Sequence, residues 1–192
     1  MATTTVSWLT DVERALAQAR VEGKLAFIEF SQAPRCAGSV ALETQVYADE
    51  RVSRFLFDHF VPARLIRSEH PQEVVQFNIV WTPTQLVLEP DGTERFRQVG
   101  FLPSDEFVPY LELGLATAAF GRRDFAAAQA AFEAIVERSP TAHAAAEAAY
   151  WGGVSEYYKR DRDRSALKQA AERLRDRYVT TEWAKKASVW LT

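Results

Sequence analysis

Residues 26–43 read AFIEFSQAPRCAGSVALE, an apolar run that breaks at a turn, meets the chain's only cysteine and resumes at helical spacing. Ala26 to Phe30 is aromatic and apolar except for Glu29, which suits a buried strand, and Pro34 interrupts any continuous element just before Cys36. Beyond the break Val40, Leu42, Glu43, Val46 and Tyr47 recur at helical spacing, so Cys36 is expected at or just before a helix N-terminus. Unsatisfied backbone N–H groups and the helix dipole favour an anion there. A thiolate is then stabilised relative to a thiol, and nucleophilicity appears near neutral pH.

The order of these residues resembles the thioredoxin-like proteins, in which a strand ending in an acidic residue and Phe leads into a CxxC motif that opens a helix carrying Leu-Glu. Here the corresponding residues are Glu29 and Phe30, then Cys36-Ala37-Gly38-Ser39, then Leu42-Glu43. Ser39 stands where the family has its second cysteine. Setting Cys36 in the second position would put Ala33 in the first and require two residues deleted after Phe30. The CxxS register requires one residue inserted and is adopted. The resemblance implies that Glu29 is a buried proton acceptor, whose burial would raise its pKa. It also implies that Arg35 replaces the usual Trp before the motif, that Trp81 restores part of the docking surface, and that Thr82-Pro83 is the cis-proline segment packed against the cysteine.

The chain as a whole is that of a folded protein. With 192 residues, 47% hydrophobic and 26% charged, it is large enough for one sizeable core or two small ones. No apolar run reaches the roughly 20 residues that span a bilayer, and residues 1–10 carry neither the basic start nor the apolar segment of a signal peptide. A soluble, cytoplasmic protein is expected. One cysteine excludes an internal disulfide, and a formal net charge of −3 argues against a general nucleic-acid binder. The charge is uneven. Residues 1–110 hold 10 Lys+Arg against 15 Asp+Glu, whereas residues 111–192 hold 13 against 11 and are rich in Ala. This shift divides the chain into a first domain, 1–113, and a helical domain, 114–192.

Taken in order, residues 11–20 form a helix with Val12, Ala15, Leu16 and Ala19 on one face and Thr10 as its cap. Residues 25–30 form a strand, the Cys36 turn leads into a helix to about Tyr47, and residues 52–60 form a helix whose Phe55, Phe57 and Phe60 are core candidates. A strand follows at 61–66, then a polar or helical connection. Pro90-Asp91-Gly92 between apolar runs predicts an antiparallel hairpin of 85–88 and 95–99, because Pro presets φ and Gly accepts positive φ. A closing helix from Ser104 completes an α/β thioredoxin-like fold, a central mixed sheet flanked by helices.

The second half resembles tetratricopeptide repeats, so an all-α helical-repeat domain is expected. Ala128, Phe132, Ile135 and Pro140 have the spacing of the repeat's second helix, with Leu115 and Ala116 on its first. Trp151, Val154, Tyr158, Ala171 and Leu174 form a second copy, offset by 39 residues against the usual value of about 34. Residues 183–190 resemble a terminal cap. Stacking would bury Phe132, Trp151, Tyr158 and Leu174 together. Such a surface either holds a protein partner or braces the first domain.

The chemistry follows from Cys36 and Ser39. A dithiol site resolves its mixed disulfide with the second cysteine; Ser39 cannot, though its hydroxyl can hydrogen-bond the thiolate. Release needs an external thiol, so the expected activity is monothiol thiol–disulfide exchange or isomerisation on protein or peptide thiols and disulfides. Catalytic candidates are Cys36, Ser39 and Glu29; substrate-binding candidates are Arg35, Trp81, Thr82 and Pro83. No cofactor is expected, with glutathione as a candidate co-substrate. His59, His70 and His143 are scattered and make no metal site. The alternative is a non-enzymatic protein-binding or chaperone-like module that uses the same fold and the helical repeats.

Overall fold

Asp11, not Thr10, caps the first helix: its Oδ1 accepts the Arg14 N–H at 2.7 Å. The aspartate carboxylate reaches the first-turn amides in the same way a hydroxyl would, and adds a charge that favours that end of the helix. This helix, α1 (Val12–Glu22), buries Val12, Ala15, Leu16 and Ala19 and ends at Gly23 with φ 66°. Gly23 adopts this left-handed conformation without a Cβ penalty. The structure, a computed structural model, describes residues 8–192. Residues 1–7 of the leader-free start expected from the sequence lie outside the described residues.

Strand β1 (Leu25–Ser31) is buried along its whole length. It lies inside a four-stranded mixed sheet of order β2-β1-β3-β4, in which β2 is Phe60–Ile66, β3 is Thr84–Leu88 and β4 is Glu94–Val99. β1 runs parallel to β2 and antiparallel to β3, and β3 pairs antiparallel with β4. The hairpin turn is the one expected from Pro-Asp-Gly: Gly92 has φ 86° and its N–H donates to Glu89 O at 2.9 Å.

Alternation along β1 separates two faces. Ala26, Ile28 and Phe30 join Leu86, Leu88, Val61, Ala63, Leu65 and the apolar stripe of α1 in one core. On the other face Phe27 meets Trp8, Phe60 and Phe107 edge-on, at centroid separations of 6.1, 6.1 and 6.3 Å. Helix α2 (Ala37–Ala41) passes directly into a π-helical turn, 42–46, and α3 spans Glu50–His59. Of the expected aromatic face on α3, only Phe60 is core. Phe55 and Phe57 are half-buried, and Val52 and Leu56 occupy the inward positions instead. α4 (Pro71–Gln76) fills the connection before β3.

The chain divides into two compact units, the first ending at Val108 and the second beginning at Pro109; residues 104–121 form helix α5 (Ser104–Gly121). In the second unit α6 (Phe125–Arg138), α7 (His143–Lys159) and α8 (Arg164–Arg177) pack in sequence, followed by α9 (Glu182–Ala187) and a short 3-10 turn. Phe132 and Leu174 are fully buried, as their spacing predicts. Tyr158 is not. It stays 39% exposed and stacks on Phe125 at 4.7 Å, while Trp151 is half-buried. The helices approach through small residues: a Cβ on Gly153 of α7 would overlap the Ala170 methyl of α8.

Candidate functional site

The end of β1 and the start of α2 are folded together by local hydrogen bonds. The Cys36 N–H donates to Gln32 O at 3.0 Å, and the Gln32 N–H donates to the Ser39 hydroxyl at 3.1 Å. The Ala33–Pro34 bond is cis. Cys36 is the N-cap residue of α2, extended at φ −113° and ψ 116°. Its side chain makes no capping hydrogen bond, so its place at the helix start acts on the thiol through the unsatisfied first-turn N–H groups, which favour an anion nearby.

Burial pushes the Cys36 thiol up. Hydrogen bonds from the Ser39 N–H, the Ser39 hydroxyl, the Thr82 side chain and the Gly38 N–H outweigh it and hold the thiol below its ordinary value. In the protonated form Sγ donates to the Thr82 carbonyl at 3.2 Å. Losing that proton exchanges one acceptor for several donors, which is why the balance falls toward thiolate. Ser39 is itself buried, and its oxygen accepts from the Gln32 N–H.

Thr82 belongs to a second loop, 78–84, in which the Thr82–Pro83 bond is also cis. The loop is fixed by the Thr84 hydroxyl donating to Trp81 O at 2.9 Å and by the Gly100 N–H donating to Pro83 O at 2.8 Å. Pro83 packs on Gly38, and Phe101 borders the same glycine. Around the sulfur, Val80 and Trp81 stand 68% and 63% exposed, with Val99 and Phe101 also open to solvent. Singly exposed apolar side chains are ordinary; here two precede Thr82 in its loop and two stand at the end of β4 and just beyond it, next to Gly100, whose N–H binds Pro83 O. Arg35 is exposed beside it.

Glu29 is placed differently. It is only 1% exposed and its Oε2 accepts from Arg64 Nε at 2.8 Å, across the parallel register of β1 and β2. Arg64 also approaches Glu43 at 3.4 Å and lies 4.3 Å from the Trp8 ring centroid. Burial raises the Glu29 pKa; the Arg64 charge and hydrogen bonds from Arg64 and Tyr47 offset this in part, and Glu43 adds to it. No hydrogen bond joins Glu29 to Cys36 among the described residues. Its cross-strand neighbour on β3, Gln85, is fully buried, and neither amide atom has a partner.

The structure thus gathers Cys36, Ser39, Thr82 and Pro83 at one point, sets Trp81 and Arg35 at its rim, and engages Glu29 with Arg64. Sequence reasoning missed Gly38, Phe101, Gln32 and Arg64. Gly38 lay inside the motif and was legible as a close-approach glycine; the pairing of Arg64 with Glu29 depends on strand register, which has no local signal. Among the described residues no group of three or more His, Cys, Asp or Glu could hold a metal ion, and no helix is long and apolar enough to cross a membrane.

A mixed sheet of this order, with the cysteine at the start of the helix after β1 and Thr82-Pro83 against it, defines the thioredoxin-like class. The family described as the thioredoxin-like domain matches residues 12–114, and the chain belongs to it. It is similar to a thioredoxin from Thermus thermophilus, with 26% identity over 62% of this chain and 94% of that one and a TM-score of 0.54. It also matches the oxidised C-terminal domain of DsbD from Neisseria meningitidis, with 16% identity over 56% of this chain and 99% of that one, at a TM-score of 0.48. No curated protein matches the chain. The fold implies thiol–disulfide partners in general, and this chain brings a single cysteine to them.

Proposed function

We propose that the protein is a monothiol thiol–disulfide exchange protein acting through Cys36, with Cys36-Ala37-Gly38-Ser39 as a CxxS site. The Cys36 thiolate attacks a disulfide, or a mixed disulfide with glutathione. One S–S bond breaks, a Cys36–S bond forms, and the other sulfur leaves as a thiolate. An external thiol then attacks the mixed disulfide and returns Cys36 to its thiolate. Ser39 and Gly38 stabilise the thiolate, Thr82 and Pro83 border the incoming chain, and Trp81 and Arg35 contact it from the rim. The observation that carries this reading is the position of Sγ, 3.2 Å from Thr82 O at the start of α2, where the thiol is held below its ordinary value, with Val80 and Trp81 exposed in the adjoining loop. The cytoplasm, rich in reduced small thiols, is the compartment this reading proposes.

The test is turnover of a glutathionylated peptide in the presence of reduced glutathione. Wild type should accelerate release of the free peptide well above the uncatalysed rate, and Cys36→Ser should abolish the effect. Equal rates for the two proteins would overturn the reading.

A second reading, a partner-binding module, draws on the second unit, where α6, α7 and α8 read as tetratricopeptide-like. It is favoured by a cleft of about 480 Å³ floored by Ala149, Gly152 and Gly153 and walled by Glu133, Glu156 and Arg173. Binding of a protein partner that survives Cys36→Ala would support it.

A further inference from the structure

The charges around Cys36 are one-sided. Three segments surround the thiol: residues 32–38, 78–84 and 99–103. They contain a single charged side chain, Arg35. A fourth segment, the loop after β2, is tied to the first. The Arg67 N–H donates to Ser31 O at 2.8 Å, and Gln32 Nε2 donates to the Ser68 hydroxyl at 3.2 Å. This loop brings Arg67, Glu69 and His70 to the same end of the sheet. His70 Nδ1 lies 3.7 Å from Glu73 and is already engaged. Arg35 and Arg67 are both exposed, and neither guanidinium has a carboxylate partner among the described residues. Among the described residues of this loop, Glu69 is the acid without a cationic partner.

Arg35 adjoins Cys36 in sequence and Arg67 stands on the loop hydrogen-bonded to residues 31–32, so both guanidinium charges act on whatever approaches this end of the sheet. They favour an incoming disulfide that bears carboxylates, and they favour the negative charge shared by three sulfurs as exchange proceeds. A cationic disulfide is opposed on both counts. From this we infer that Arg67, with Arg35, sets the substrate preference of Cys36 toward disulfides carrying carboxylates beside the S–S bond. The inference rests on the exchange reading above and names its substrate class. The step is unchanged: the Cys36 thiolate displaces one half of the disulfide as a thiolate, and no electrons enter or leave beyond that pair.

The experiment compares second-order rates of the folded protein with three small disulfides: anionic 5,5′-dithiobis(2-nitrobenzoate), neutral 2-hydroxyethyl disulfide and cationic cystamine. Each rate is divided by the rate for the same chain unfolded in urea, which removes the intrinsic reactivity of the reagent. The folded protein should favour the anionic over the cationic reagent by about 2- to 10-fold. Added salt should erase most of that ratio, since screening shortens to about 3 Å at 1 M. Arg67→Gln and Arg35→Gln should each lower the ratio, and Glu69→Gln should raise it, with the rate toward the neutral reagent moving less than the rate toward the anionic one. A ratio near one, or a ratio that ignores both arginine substitutions and salt, would overturn the inference while leaving exchange intact. Absence of reaction with all three reagents would remove the exchange reading itself, and this inference with it. The salt titration on wild type needs no variant to fold.

Discussion

Gly38 lies against the Pro83 ring so closely that a Cβ on it would sit 2.9 Å from Pro83 Cδ. A ring held by its own backbone cannot yield as the end of a flexible side chain can. Gly38→Ala should therefore separate the Cys36 turn from the Thr82 loop and lengthen the sulfur-to-Thr82 contact. Overpacking of this kind costs about 1–3 kcal/mol. The urea midpoint should fall accordingly, with a slower Cys36 alkylation rate at neutral pH.

Ser39→Ala removes both a donor to the thiolate and the acceptor of the Gln32 N–H. The alkylation midpoint of Cys36 should move up, because burial then faces fewer opposing hydrogen bonds. Stability should drop by about 1 kcal/mol for the orphaned amide. Ser39→Thr, which keeps the hydroxyl, should retain more of the low midpoint than Ser39→Ala does, as read by iodoacetamide rate against pH.

Removing Arg64 exposes what it does for Glu29. Arg64→Met leaves a buried carboxylate uncompensated and should cost about 3 kcal/mol at neutral pH. Part of that loss should return on acidification, as Glu29 takes up a proton. Already in wild type its pKa is raised, so the folded state holds more protons there than the unfolded state above the ordinary carboxyl value of 4.5. Its contribution to stability therefore declines as pH rises through the folded pKa. Glu29→Gln combined with Arg64→Met should recover most of the stability, measured by urea unfolding at pH 5 and 7.5.

Glu147 offers a cleaner titration in the second unit. Burial pushes it up to about 7, with Lys186 and a Trp151 hydrogen bond opposing and Glu182 adding to the rise. Between pH 4.5 and 7 the folded protein binds the extra proton, so stability should fall with rising pH by up to about 3 kcal/mol from this group. Glu147→Gln should flatten that part of the profile. Subtracting the variant's unfolding curve from that of wild type isolates the contribution.

Much of the first unit was legible because its signals are local. The apolar run at β1, the Pro-Asp-Gly hairpin and the break before Cys36 each act within a few residues. Thr82-Pro83 was found by order along the chain, and the structure sets it against Gly38 and Cys36. Pairings that depend on register were not legible: Glu29 with Arg64 and with Gln85 come from strands 35 and 56 residues away in sequence. The cap of α1 was misplaced by one residue because Thr10 and Asp11 offer the same capping oxygen. Phe55, Phe57 and Tyr158 fell on apolar faces by spacing, yet spacing gives direction and not depth. Arg67 carried no motif at all; the tie between its loop and residues 31–32 rests on two hydrogen bonds between segments far apart in sequence.

The most direct measurement is the pH dependence of Cys36 alkylation by iodoacetamide in the folded protein, against the same chain unfolded in urea. The account predicts fast reaction in the folded state and a midpoint below that of the unfolded chain, since the amides and hydroxyl at the start of α2 favour the thiolate. A folded-state midpoint equal to or above the unfolded one, or reaction that begins only on unfolding, would contradict it.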